Sequence, residues 1–345
     1  MTKLYKRAEL IDGVAHYEEE NGNVKEIVLD SGIKDLVSSN KMQLDTGLFF
    51  QRELTHVMER AFNKKFPELK FRMLFPVSNE INPYMDSYAY KTYTRNGMAK
   101  LIRDYGNDLS RVDLQAAETV VKIRTIGASY AYTYLEVEQA QMVGMSLDAK
   151  KAEATLRAIE EKLNRMAFFG DDGADLTGLF NNPNVTSGTL STGAGGGTAF
   201  AGKTPEEILA DLNEQANAIV QSTKMVEIPT TIMLPPSQFA DITSRAKNSA
   251  SDTTVGQHFM NSWQWGNGIE LVPVNECAAA VNPELTNDAM VIYKNDPDTL
   301  QMHIPQEYIQ HPMQTENLQY TINTTVRTGG LEIYYPASVS IVEGI

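Results

Sequence analysis

Ser146-Leu147-Asp148 opens a run that closes on Arg165-Met166-Ala167-Phe168-Phe169-Gly170-Asp171-Asp172-Gly173, and its reading decides the fold. Ser146 is a good N-cap, and Asp148 puts negative charge in the first turn, where the helix dipole favours it. Behind them Ala149, Ala152, Leu156, Ile159, Leu163 and Met166 recur at alternating spacings of three and four. That pattern predicts a helix with a narrow apolar seam, surrounded by Lys150, Lys151, Glu153, Arg157, Glu160, Glu161, Lys162 and Arg165. Gly170 then stops it. At about 1.5 Å per residue, Leu147 to Phe169 makes a rod of roughly 35 Å. A rod exposed on most of its circumference suits a protein that is mainly scaffold.

Upstream, residues 1–44 mix short charged runs such as Glu18-Glu19-Glu20 with isolated apolar residues, and read as an extended arm with little core of its own. A first helix is expected next, with Phe50, Leu54, Val57, Met58, Ala61 and Phe62 on one face and Pro67 at its end. From Asn82 to Asp113 the pattern is extended and polar, with a turn near Asn96-Gly97. Glu118 to Gln141, rich in Val, Ile, Thr and Tyr, reads as long strand structure. Eight of the 15 tyrosines fall between 84 and 134, among them Tyr84, Tyr88, Tyr90, Tyr93, Tyr130, Tyr132 and Tyr134. Tyr130, Tyr132 and Tyr134 alternate and so share a strand face. Tyrosines so concentrated suit an interface between molecules, or simply cover a solvent-facing sheet.

Downstream, Thr186 to Gly202, with Gly195-Gly196-Gly197, reads as a flexible loop. Thr204-Pro205-Glu206-Glu207 is a helix start with a capping box, and Ile208, Leu212, Ile219 and Val220 give that helix its apolar face. Strands are expected at Thr230–Leu234, Ile269–Val274, Met290–Lys294 and Leu300–Ile304, with a short helix from Ser237. This alternation describes a compact α/β domain between about 180 and 315. Tyr320–Arg327 and Leu331–Val342 flank Gly329-Gly330, a tight hairpin signal. A late strand pair with no domain of its own must complete an earlier sheet, so the middle domain is inserted into the first.

Composition excludes several classes. The 345 residues are 42% hydrophobic and can bury one large core or two moderate ones. No run of about 18 apolar residues occurs, and Met1-Thr2-Lys3-Leu4-Tyr5-Lys6-Arg7 leads into no apolar segment, so neither a membrane span nor a signal peptide is expected. The single cysteine, Cys277, rules out an intrachain disulfide and a cysteine-based zinc site and points to a reducing cytoplasm. A net charge of -14 disfavours a grip on phosphates, and suits a surface that lies near DNA without adhering to it.

No catalytic or cofactor constellation stands out. The five histidines (16, 56, 258, 303, 311) lack metal-ligand spacing and read as surface or loop residues. Asp171, Asp172 and Asp175 fail the calcium-loop pattern because Gly173 takes a ligand position, so helix termination explains them better. The glycines at 193–197 lack the ending of a phosphate loop.

Taken in order, these segments resemble the major capsid protein of tailed bacteriophages. The resemblance is carried by Ile159 to Asp171 with Gly178-Leu179-Phe180-Asn181, by Met233-Leu234-Pro235-Pro236-Ser237-Gln238-Phe239, and by Arg327-Thr328-Gly329-Gly330-Leu331-Glu332-Ile333 with Pro336-Ala337-Ser338-Val339. It covers about residues 45–345, and the order of the motifs carries the weight. It implies an α+β capsid fold: an N-terminal arm (1–44), a first helix and start of a peripheral domain (45–81), and an extended two-stranded loop with long strands (82–140). A spine helix (141–179), an inserted axial domain (180–315) and returning strands (316–345) follow. The implied function is self-assembly into an icosahedral shell around a double-stranded DNA genome, through pentamers and hexamers, without cofactor, metal or membrane. The tyrosines named above are then candidate contacts between subunits. An arm of 44 residues is short for the cleaved scaffolding segment of some relatives, which implies a separate scaffolding protein beside a portal. DNA would be met by proximity alone, and assembly would occur in the bacterial cytoplasm. An encapsulin-type compartment and a soluble α/β enzyme are the competing readings.

Overall fold

The computed structural model describes residues 66–345, apart from 102–110, 145–147, 249, 251 and 267, together with the backbone of three strands between Tyr5 and Val28. The chain divides into two compact units, Met1–Pro67 and Glu68–Ile345. In the first, β1 (Tyr5–Ile11), β2 (Val14–Glu19) and β3 (Val24–Val28) form an antiparallel meander. Between Tyr5 and Val28 the described strands are therefore a paired sheet rather than an extended arm. Its sequence carried the signals: Asp12-Gly13 and Asn21-Gly22 stand between the paired runs. The helix expected from Phe50 to Phe62 lies outside the described residues, as do Tyr105 and the Ser146 cap.

The second unit begins with α1 (Phe71–Leu74), β4 (Val77–Ser78), β5 (Ser87–Asn96), β6 (Asp113–Lys122), β7 (Arg124–Thr133), α2 (Tyr134–Val143) and α3 (Asp148–Phe169). It continues through β8 (Thr186–Thr189), α4 (Pro205–Ser222), β9 (Thr231–Leu234), α5 (Pro236–Ser244), α6 (Val255–Ser262), β10 (Glu270–Pro273) and β11 (Ala289–Tyr293). Last come β12 (Leu300–His303), β13 (Gln306–Gln310), β14 (Gln314–Glu316), β15 (Gln319–Thr328), β16 (Gly330–Ile333) and β17 (Val339–Glu343).

The centre is a five-stranded sheet in the order β10-β9-β11-β17-β8. Both faces of β9 and β11 are buried, which is why these strands read as continuous apolar runs, whereas the edge strand β8 is exposed throughout. Met233, Val291, Tyr293, Val339 and Ile341 join a core with Phe71, Phe75, Leu163 and Phe168. Ile232, Leu234, Met290, Ile292 and Val342 join a second core with Leu212, Ile219, Ile242 and Phe259 from α4–α6. Alternate residues of one strand thus serve two cores. Phe75 meets Phe168 edge-on at 5.3 Å, and the buried Tyr293 hydroxyl donates to the Leu74 carbonyl at 2.8 Å. Arg72 links α1 to α3 and β13, bonding Glu160 at 2.8 Å and Glu307 at 2.9 Å.

The seam of α3 follows a different row from the one expected. Ile159, Leu163, Met166 and Ala167 are buried, but Leu156 is 39% exposed, and Thr155 takes the inward place. Lys151, Thr155, Ile159, Leu163 and Ala167 form a row of spacing four, the ridge a helix offers to a neighbour crossing at an angle. The Lys151 ammonium donates to the Ala131 carbonyl at 2.8 Å and sits over the Tyr132 ring at 4.2 Å, so the front half of α3 packs on β7. Ala152 is half-buried there, and the side chain of Ala149 lies outside the description. Gly170 ends the helix with φ +65°, where a Cβ would meet the Leu176 carbonyl at 2.5 Å.

Glu118–Gln141 is not one long strand. β6 and β7 break at Ile123, and Thr133 caps α2 through a capping box with Glu136. The stretch from Thr186 is not loose either. β8 pairs in parallel with β17, and Leu190 and Phe200 are buried. The buried Lys203 ammonium, 2.5 Å from Asp211 Oδ2 and 2.6 Å from the Ser191 carbonyl, pins the glycine loop between them. Gly329-Gly330 makes no hairpin. β15 lies in a sheet with β13, β14 and β7, whereas β16 pairs with β12 in the sheet β16-β12-β4. The left-handed Gly330 passes the chain from one sheet to the next. Strand membership also departs from a boundary at 315: β12 and β13 pair with β16 and β15, and β17 returns to the five-stranded sheet.

One turn carries visible strain. Asn317 and Leu318, between β14 and β15, have φ of +45° and +62°. A two-residue hairpin loop favours this conformation but calls for glycine at its second place. A leucine there costs about 1–2 kcal/mol, and Leu318 is 75% exposed.

Candidate assembly interface

β5 and β6 pair antiparallel in unbroken register from Ser87↔Lys122 to Asn96↔Asp113. Ten residues at about 3.4 Å each make a ribbon of roughly 34 Å. Nine of the ten residues of β6 are exposed, and β5 is half-buried only at Tyr88, Tyr90 and Thr92. A two-stranded ribbon exposed on both faces is marginal by itself. Its stability must come from its root.

The root is aromatic. Tyr88 lies against His303 at 4.6 Å, and Tyr90 meets Tyr334 edge-on at 4.9 Å. The Tyr90 hydroxyl donates to Glu332 Oε1 at 2.7 Å, and His303 Nε2 and the Tyr334 hydroxyl are 2.7 Å apart. A Cβ on Gly329 would stand 2.8 Å from the Tyr88 ring, so glycine there makes room for Tyr88. Burial pushes the Tyr88 hydroxyl up, and burial together with Glu332 pushes Tyr90 up to about 12. Burial lowers His303 to about 4 and raises Glu332. His303 is thus a neutral, buried histidine, not the surface residue expected from sequence.

The other side of the root is ionic. Arg327 donates to the Pro83 carbonyl and lies 3.3 Å from Asp86, while Lys122 pairs with Asp175 at 2.6 Å. Arg124 Nε donates to the Ala174 carbonyl at 2.9 Å. Lys162 pairs with Asp171 at 2.7 Å, and Asn181 donates to Asp172 at 3.2 Å. Each of the three carboxylates after α3 therefore has a partner, and among the described residues no group of side chains could hold a metal ion. Cys277 is fully buried, and burial pushes its thiol up, away from any nucleophilic role.

The seven tyrosines divide. Tyr130 and Tyr132 are buried against Ile322, with Val137, Ala152 and Tyr320 around them, and serve this chain's own packing. Tyr134 is no strand residue: it opens α2, 45% exposed. Tyr88 and Tyr90 anchor the ribbon. Tyr84 and Tyr93 are 86% and 60% exposed. Large apolar residues missed from sequence join them at the ribbon end: Met98, Leu101, Val112 and Leu114 are all more than half exposed. The turn expected near Asn96-Gly97 is not there: β5 pairs through Asn96 with Asp113, and the chain turns further on, beyond the described residues; the signal available for these apolar residues was their place between the two polar strands.

A family model described as major capsid protein matches residues 97–345. The chain belongs to the major capsid protein family. No curated protein matches the sequence. Among solved structures, the capsid protein is similar to the capsid of Myoviridae phage XM1, with TM-score 0.74 at 16% identity over 87% of this chain and 99% of that one. It is similar to the capsid of an empty GTA particle, with TM-score 0.56 at 10% identity over 84% and 94%. A virus-like particle from Pyrococcus furiosus gives TM-score 0.50 at 14% identity over 79% and 92%. These likenesses show the α+β capsid fold. The capsid protein is a structural, self-associating subunit of a phage capsid shell, and no helix among its described residues is long and apolar enough to cross a membrane.

Proposed function

We propose that the capsid protein closes an icosahedral shell around double-stranded DNA by laying its β5–β6 ribbon over a neighbouring copy. The observation that carries this reading is the ribbon itself: rooted by Tyr88 and Tyr90, exposed on both faces, and bearing exposed apolar side chains toward its end. In this reading α3 is the spine of a peripheral domain, and the five-stranded sheet with α4–α6 is the axial domain that meets its mates in pentamers and hexamers. Each contact can be modest, because a closed shell engages every subunit several times over. A net charge of -14 fits an enclosed genome met by proximity rather than gripped. A separate scaffolding protein and a portal complete the assembly, which takes place in the bacterial cytoplasm. The role is structural and involves no catalytic step.

The test replaces residues 92–117 by a short glycine turn, leaving Lys91 and Glu118 as register partners. Electron microscopy and size-exclusion chromatography should show closed shells from the full chain, and a folded subunit that forms none from the shortened one. Normal shells from the shortened chain would sink the ribbon reading.

A further inference from the structure

The geometry points to a small-ligand site on the capsid protein: a cleft beside α4 that binds a neutral carbohydrate. Its described lining is Asn213 and Asn217 of α4 together with Ser262, Trp263, Gln264 and Trp265, where α6 ends and the chain runs on toward β10. Both tryptophans of the chain stand there. The cleft has a volume of about 430 Å³, within the range of small-molecule sites. None of its residues belongs to the ribbon or its root, so the inference is independent of the ribbon reading.

Folding alone accounts poorly for these residue types. Asparagine is a weak helix former, yet Asn213 and Asn217 sit inside α4, four residues apart and so on one face. Neither caps an end of the helix. Asn213 Nδ2 donates to the Leu209 carbonyl at 2.7 Å, which leaves its Oδ1 to accept. The Asn217 and Gln264 amides make no hydrogen bond among the described residues. The Ser262 hydroxyl donates to the Phe259 carbonyl at 3.1 Å and keeps its lone pairs. Trp263, 6% exposed and 5.9 Å from the Phe259 ring, forms the floor, while Trp265 stands 38% exposed.

The chemistry of the lining selects the ligand class. Among the described residues no acid and no base lines the cleft, so nothing there would hold a phosphate, a carboxylate or a cation. An apolar ligand would bury the Asn217 and Gln264 amides without partners, at a cost of about 1–3 kcal/mol for each group left unpaired. A sugar hydroxyl both donates and accepts, and so does a carboxamide, so the two pair in either sense. The apolar C–H face of a pyranose covers an indole ring, whose large surface rewards the contact. Uncharged amides beside exposed indole therefore fit a neutral sugar better than any other small ligand.

Because both tryptophans line the cleft, indole emission reports its occupancy directly. The purified full-length chain, titrated with maltotriose, cellotriose and tri-N-acetylchitotriose, should give a saturable change in emission with at least one of them. The fitted Kd should move by less than about twofold between low and high salt, since no charge takes part. Asn217→Ala should weaken binding by about threefold to tenfold, the effect of one lost hydrogen bond. Trp265→Ala should remove binding, with Trp263 still emitting as the reporter. Both variants alter side chains outside the buried cores, and circular dichroism checks that they fold. No saturable change with any of the three sugars overturns the site, as does an undiminished response from both folded variants. A Kd that rises about tenfold with salt would assign the cleft to a charged ligand and refute the carbohydrate. Emission that becomes shielded from acrylamide in shells, with no response to sugar in shells or free subunit, would give the cleft to a neighbouring copy instead.

Discussion

β6 and β11 are both strands held by regular ladders, yet β11 is buried at all five positions and β6 is exposed at nine of ten. Val291 is fully buried between two neighbouring strands, whereas Val120, also paired in register, is 64% exposed. β11 is paired along both edges and β6 along one, and beyond that the difference lies in what the side chains touch. The body of the subunit is stable because β9, β10, β11 and β17 each feed two cores. The ribbon contributes little to the fold, and in the proposed reading its apolar surface meets another molecule.

The comparison breaks most severely at buried charge. Lys203→Ala should destabilise the subunit by about 3–5 kcal/mol, because it leaves Asp211 buried and unpaired. Lys203→Met with Asp211→Leu should recover most of that loss in the same denaturant titration. Next, Ile292→Ala in β11 should cost about 2–5 kcal/mol, whereas Val120→Ala in β6 should stay within about 0.5 kcal/mol. Equal effects at the two sites would erase the distinction between body and ribbon.

The root of the ribbon should respond to pH. His303 is held near 4 in the folded chain against an ordinary value of 6.5, so the unfolded chain binds its proton more readily. Its contribution is full above about 6.5, is lost at up to about 1.4 kcal/mol per pH unit as pH falls toward 4, and is flat below that. Glu332, raised by burial, acts in the opposite sense over its own titration. His303→Gln should therefore remove a falling limb between 6.5 and 4 from the stability profile, and an unchanged profile would show that the imidazole is not buried neutral. The smallest effect on stability belongs to Tyr93→Ser, expected within about 0.5 kcal/mol for the subunit. Its shell yield should nevertheless drop, and an unaltered yield would remove Tyr93 from the interface.

Sequence alone placed the elements whose signals are local. The seam from Ile159 to Met166 with its stop at Gly170 located α3, the Thr204–Glu207 capping box located α4, and apolar runs located β9, β10 and β11. Such signals lie within a turn or two of the residues they govern, so they survive without knowledge of partners. Even the capping box at Thr133–Glu136, which starts α2, was present to be read. Tertiary structure alone decided which tyrosines face inward, because a strand has two faces and only its packing partner tells them apart. Tyr130 and Tyr132 met Ile322 and the front of α3, Tyr88 and Tyr90 met His303 and Tyr334, and Tyr93 stayed largely exposed. It also turned Leu156 outward and Thr155 inward, since the face of α3 that packs on β7 and the core follows the row from Lys151 through Thr155 to Ala167. Gly329-Gly330 joined two sheets rather than two paired strands for the same reason: the partners of β15 and β16 are strands far away in the sequence, invisible to any local pattern.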